Sequence, residues 1–247
     1  GDHRDLHRLI RRQRQMCIRD RIYAAQIDCV DQNIGRLLKT LNKLGILENT
    51  LIMFLSDNGG CAEGGELGGG DANDLETARG FMLSYGRAWA NASNTPFRRY
   101  KHWLHEGGIA TPLVVHWPNG IEDKGALRQQ PGYLPDFMST CVALADADYP
   151  QQYHGNNIPP MEGKSLVPAF SNKWIHRDAM YWEHEGNRAI RVGDWKLVYA
   201  ECEGEWELYN LREDRTELHN LAQKETGRVK NMIELWDEWA ERCYVKW

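Results

Sequence analysis

The chain has 247 residues, of which 26% are charged and 42% hydrophobic, and a net charge of -5. That length suits one large domain or one domain with a smaller appendage, and the mildly acidic balance gives no bulk attraction to nucleic acid or to an anionic membrane surface. The longest strongly apolar run, Leu51 to Leu55, is far short of the roughly 20 residues that span a bilayer, and the six cysteines form neither a Cys-x-x-Cys pair nor a close Cys/His cluster, which argues against a zinc ribbon or thioredoxin-like site.

Residues 1–21 are rich in arginine, with Arg11, Arg12, Arg14, Arg19 and Arg21 crowded together and few core-forming side chains. They read as a non-native or disordered leader, of the kind found at the ends of translated environmental assemblies, rather than as a basic arm for nucleic acid. From Ile22 to Leu44, Ile27, Val30, Ile34, Leu37, Leu38, Leu41 and Leu44 recur at intervals of three and four, which predicts a helix with one apolar stripe, stopped by Gly45. Leu51 to Leu55 then predicts a strand covered on both faces, as in a parallel sheet. Helix and strand together make half of a βαβ unit. Residues 59–94 read as a long Gly- and Ala-rich loop. A further strand is expected within Ile109 to His116, at an edge or with a late start because of Pro112, and a short helix within Leu134 to Ala145. Past about Pro150 three short antiparallel strands are expected, beginning at Arg188, Trp195 and Trp206, followed by a helix within Val229 to Tyr244.

Two stretches carry chemistry. The apolar run ends abruptly in Ser56-Asp57-Asn58-Gly59-Gly60, and in open α/β sheets ligand sites lie just beyond the carboxyl ends of strands. Asp57 and Asn58 both offer oxygen, the donor that hard cations such as calcium and magnesium prefer; the same residues also favour simple turns. The second stretch, Asn94 to Pro112, crowds Arg98, Arg99, Lys101, His102 and His105 ahead of a strand. Lysine suits an anionic oxygen as a point charge and arginine grips one in bidentate fashion. Two loops at one end of a sheet can converge on one ligand.

These pieces together resemble the sulfatase family of the alkaline-phosphatase superfamily. The match runs through Tyr23-Ala24-Ala25-Gln26-Ile27-Asp28, Asn49-Thr50-Leu51, Ser56-Asp57-Asn58-Gly59, Thr95-Pro96-Phe97-Arg98, and Lys101 five residues before Glu106-Gly107-Gly108. It continues in Trp182-Glu183-His184-Glu185-Gly186-Asn187-Arg188 and Gly193-Asp194-Trp195-Lys196-Leu197. The resemblance implies an α/β fold class: a partial alkaline-phosphatase-like sheet sandwiched by helices over 22–150, then a small C-terminal α+β subdomain with an antiparallel sheet over 151–247. It also implies Asp57 and Asn58 as ligands of one divalent cation, Ca2+ with Mg2+ as the other candidate. Lys101 is implied as a catalytic and substrate-binding residue that holds a sulfate oxygen. His184 lies where it can border the leaving-group side, or serve as a structural histidine. The implied partner is a sulfate ester, with a sulfated carbohydrate as one such ester, and the implied location is periplasmic or secreted.

The chain departs from the family at the nucleophile. No cysteine or serine is followed by x-Pro-x-Arg, so the formylglycine of such enzymes has no source here. The first acidic ligand pair and the upstream lysine and histidines of the pocket are missing as well. The sequence therefore reads as the C-terminal portion of a sulfatase that shows no turnover by itself. Two other readings stand beside it: a phosphodiesterase or phosphonate hydrolase of the same superfamily, and a non-catalytic module that binds anionic glycans through Arg98, Arg99 and Lys101.

Overall fold

The computed structural model describes the backbone of all residues except 1, 75, 76, 81, 82 and 247, and the side chains at 2–16 and 72 also lie outside the description. Arg11, Arg12 and Arg14 of the expected leader fall in that group. The chain divides into two compact units. The first comprises Gly1–Thr40, Ser56–Pro112 and Tyr181–Trp247; the second comprises Leu41–Leu55 and Leu113–Met180.

The first unit opens with helix α1, Asp2–Lys43, whose last residues pass into the second unit. The segment expected to be a leader is thus helical backbone, continuous with the predicted helix. Its guanidinium at Arg19 is buried and reaches the carbonyls of Leu67, Gly69 and Gly70, and Tyr23 stacks on Tyr85 with ring centroids 5.1 Å apart. Much of the apolar stripe stays open: Ile34, Leu38 and Leu41 are half-buried, while Ile27, Val30 and Leu37 are exposed. Periodicity located the stripe, but no described residue covers those three side chains. Within the expected long loop the structure adds helix α2, Gly86–Ser93. A single helical turn, α3, Glu106–Ile109, follows the cationic stretch.

The centre of this unit is a four-stranded antiparallel sheet in the order β5-β6-β7-β8, formed by β5 (Met180–His184), β6 (Asn187–Val192), β7 (Trp195–Tyr199) and β8 (Trp206–Asn210). Sequence reading found the last three strands and missed β5, which is Trp- and Glu-containing and lacks an alternating pattern. Ala189 pairs with Val198, which pairs with Glu207, and Arg191 pairs with Lys196, which pairs with Tyr209. Because side chains alternate along a strand, these six share one face. The other face, with Arg188, Trp195 and Tyr199, meets helix α6, Thr226–Arg242, which buries Trp236 completely. Arg188 lies 5.2 Å from the Trp236 ring, Arg228 lies 4.1 Å from the Trp195 ring, and Tyr181 stacks on Trp239 at 5.2 Å. The indole of Trp236 donates to the Trp182 carbonyl at 3.0 Å.

Both faces of the sheet are therefore covered. Leu104 packs with Ala189, Val198, Tyr209 and Leu211, and Ile109 and Trp182 close the cluster. The cationic loop thus lies on the face opposite α6. That placement, rather than propensity, explains a lysine at position 196: the strand parity points it at the loop.

In the second unit, β1, Ile52–Leu55, pairs with β2, Leu113–His116, in antiparallel register from Ile52 opposite His116 to Leu55 opposite Leu113. A parallel neighbour was expected from the apolar run. Phe54 and Val114, paired in the register, are exposed instead, so the run is covered on one face only. The strand at 113–116 starts just after Pro112, which cannot donate to a ladder. Helix α4, Asp136–Leu144, is the predicted short helix. Its buried Asp136 accepts from the backbone N–H of Tyr133 and of Lys164, both at 2.8 Å, and pairs with Arg177. A small hairpin of β3, Gln152–Tyr153, and β4, Asn156–Asn157, and the turn of helix α5, Val167–Phe170, complete the unit.

Candidate functional site

All four residues singled out in the sequence lie in the first unit. Chain direction at the end of β1 delivers Asp57 and Asn58 into a tight turn, where the Ser56 hydroxyl donates to the Asn58 carbonyl at 2.8 Å. The turn is pinned from outside. Thr111 Oγ1 donates to the Ser56 carbonyl at 2.8 Å, and Gly59 N donates to the Gly108 carbonyl at 2.9 Å. Next, Gly60 N donates to Asn94 Oδ1 and Lys101 N donates to the Gly60 carbonyl, both at 3.0 Å. The Asp57 turn and the Lys101 loop are therefore one interlocked backbone structure.

Glycine is required where these backbones cross. A Cβ at Gly59 would sit 1.9 Å from the Gly107 carbonyl oxygen, and one at Gly107 would sit 2.2 Å from the Arg99 carbonyl oxygen. The second contact accounts for a glycine at position 107, where the chain returns beneath the cationic run.

Lys101 Nζ reaches Glu63 Oε1 at 2.9 Å, with the Glu63 side chain largely open to solvent and that of Lys101 partly so. The Glu63 hydrogen bond, with the nearby Cys61, Glu63 and Asp57 charges, raises the Lys101 ammonium above its ordinary range, so it is charged at neutral pH. Asp57 is thus close enough to Lys101 to be felt. Among the described residues the Asp57 carboxylate and the Asn58 side-chain amide have no hydrogen-bond partner, which leaves their oxygens available to a cation. Two oxygens are only part of the six to eight that calcium takes.

His184 ends β5 across from the same loop. Its ring lies 5.6 Å from that of His102, the residue after Lys101, and His102 Nδ1 is 2.9 Å from Glu185 Oε2. One ligand-capable atom from each of His102, His184 and Glu185 lies within 4.8 Å of the others. Sequence reading treated His102 as a loop residue. Its partnership with His184 depends on a left-handed backbone at His102, φ 92°, that no spacing rule announces.

The remaining cations are already engaged. Arg98 binds Glu207, with both carboxylate oxygens 3.1 Å from Nη1, and donates to Tyr209 Oη at 2.8 Å. Arg99 pairs with Glu203 and lies 4.2 Å from the Trp103 ring centroid. His105 is fully buried and its Nε2 is 2.6 Å from Glu207 Oε2. Burial pushes the His105 imidazole below 6.5, so the neutral ring donates from Nε2. Burial alone would raise the Glu207 carboxyl, but the His105 hydrogen bond and the Arg98 charge hold it at about 2.

Beneath them, Lys196 Nζ bridges Glu106 at 3.0 Å and Glu217 at 2.8 Å, with no exposure of its own. Burial would lower this ammonium, and the two carboxylates raise it instead. Arg215 adds a second cation to Glu106 at 3.1 Å, and Glu217 accepts from the Glu106 backbone N–H at 2.8 Å. None of these partners was read from the sequence. The available signal was a lysine at an inward-facing parity in Trp195-Lys196-Leu197-Val198-Tyr199.

The fold is alkaline-phosphatase-like: Ps i-CgsB, a solved structure 26% identical in sequence, superposes with a TM-score of 0.65 over 86% of this chain and 41% of that one. Family models place it more narrowly. Residues 18–147 match the Sulfatase family, and residues 98–241 match the family described as N-sulphoglucosamine sulphohydrolase, C-terminal. The chain belongs to the sulfatase family. An uncharacterized sulfatase of Schizosaccharomyces pombe is 34% identical over 87% of this chain and 42% of its own length. An N-acetylglucosamine-6-O-sulfatase of Bacteroides thetaiotaomicron is 28% identical over 91% of this chain and 36% of its own length. The chain thus spans about two fifths of the curated relatives it matches.

Proposed function

We propose that this chain supplies part of the active site of a sulfuric ester hydrolase that acts on sulfated sugars. The reading is carried by one observation: in a chain that matches the sulfatase family through this stretch, an unpartnered Asp57 carboxylate lies near the charged Lys101 on interlocked loops. Asp57 and Asn58 would hold a hard divalent cation, calcium or magnesium, since their donors are oxygen. When bound, that cation and a formylglycine from outside this chain would supply charge stabilisation and the nucleophile.

The chain's own residues bind and orient. Lys101 holds an ester sulfate oxygen, exchanging its exposed Glu63 partner for the substrate anion. His184 borders the sugar side of the group. Arg98 and Arg99 are bound to Glu207 and Glu203, which weighs against a glycan-binding module built on them. A periplasmic or secreted location goes with this reading, and cell fractionation of the source organism tests it.

The substrate class follows the sugar sulfatase among the relatives. Isothermal titration of the chain with N-acetylglucosamine 6-sulfate in calcium should show weak binding that the unsulfated sugar lacks. Lys101→Ala and Asp57→Ala should each weaken it at least tenfold. Binding that survives both substitutions and a chelator would overturn the proposal in favour of a passive glycan module. Preference for a phosphonate monoester over the sulfate would move the chemistry to phosphonate hydrolysis.

A further inference from the structure

We propose that His102, His184 and Glu185 form a second metal site, distinct from Asp57 and Asn58, that takes a borderline transition cation, specifically Zn2+. The backbone builds it from two directions. Strand β5 ends at His184, and the hairpin turns through Glu185 and Gly186, both with positive φ, before β6 begins at Asn187. His102, itself left-handed, brings its ring from the loop so that Nδ1 meets Glu185 Oε2 at 2.9 Å.

Asn187 anchors the His184 side. It is almost fully buried, its Nδ2 donates to the His184 carbonyl at 2.9 Å, and the same nitrogen lies 3.4 Å from His102 Nε2. A buried amide that ties down the backbone carbonyl of His184 holds that ligand's segment in place.

The donor set decides the metal. Two imidazole nitrogens and a carboxylate suit zinc and its neighbours, whereas calcium and magnesium take oxygen. Two histidines and a glutamate are also a known open zinc set, with the fourth position left to water or an anion. Tetrahedral zinc with bonds of about 2.0–2.2 Å spaces its ligand atoms roughly 3.3 Å apart. The three ligand atoms already lie within 4.8 Å of one another, so rotation of solvent-facing side chains closes the site.

The inference does not depend on sulfatase chemistry, and its test reads metal binding alone. The 247-residue chain is titrated with Zn2+ against a colorimetric chelator. One zinc per chain is expected, with affinity falling at least tenfold in His102→Ala, in His184→Ala and in Glu185→Gln, and unchanged in Asp57→Ala. Glu185→Gln keeps the shape of an exposed turn residue, and near-ultraviolet circular dichroism confirms that each variant is folded. Cobalt substitution should give tetrahedral d–d bands without a thiolate charge-transfer band. Zinc affinity unaltered in all three variants, or a cobalt spectrum dominated by thiolate from the six cysteines, would overturn the site.

Discussion

Glu207 sits beneath the cationic loop and holds two of its side chains. It ties Arg98, His105 and the β8 strand together, and its carboxyl is held at about 2 against an ordinary 4.5. A depressed carboxyl contributes stability that is complete above the unfolded value and is lost as pH falls toward the folded one. His105, pushed below 6.5, acts with the same sign, because the unfolded ring takes up protons that the buried ring refuses. Urea midpoints should therefore decline from about pH 6 down to about pH 2. Glu207→Gln should lower the midpoint at pH 7 and flatten that decline. Lys101→Ala, by contrast, should leave the midpoint nearly unchanged, because its Glu63 partner is a solvent-exposed ion pair. Asp57, Asn58 and Lys101 were singled out as candidates in the sequence because each belongs to a short contiguous motif. Glu63, His102 and Glu185 were not, since their contacts arise from loop backbone angles rather than from spacing.

At the scale of elements, the loop from Arg98 to Gly108 is shaped by contacts made by backbone atoms. Gly59→Ala would drive a Cβ onto the Gly107 carbonyl, and should cost about 1–3 kcal/mol by denaturant unfolding. Lys196→Ala should cost more, about 3–5 kcal/mol, because it strands the buried Glu217 and half-strips Glu106. If Lys196→Met together with Glu217→Gln restores much of that loss, the penalty belongs to uncompensated charge rather than to lost packing. The three C-terminal strands and α6 could be read from alternation and from the three- and four-residue spacing of Met232, Ile233, Trp236, Trp239 and Ala240. Strand β5 could not, because its burial comes from α6 and the loop rather than from its own pattern. The orientation of β1 was equally hidden: an apolar run specifies burial, and a partner decides direction.

Across the whole molecule, apolar surface is left open in both units: Ile27, Val30 and Leu37 on α1, and Phe54 and Val114 on the β1–β2 pair. An unpaired strand edge beside an exposed apolar face favours association. Sedimentation velocity should show concentration-dependent self-association, and Phe54→Lys with Val114→Lys should reduce it. A monodisperse monomer at high concentration would contradict that expectation. Among the described residues no helix is long and apolar enough to cross a membrane.

The buried bridge from Lys196 to Glu106 also bears on how such a gene can be recombined. The two residues stand 90 positions apart, yet each helps to keep the other's buried charge paired. Replacing the terminal strands by a segment without a lysine at this position would strip Glu106 of that cation beneath the cationic loop. Productive chimeras should be those whose crossover points keep Arg98 through Gly108 on the same parental side as β7.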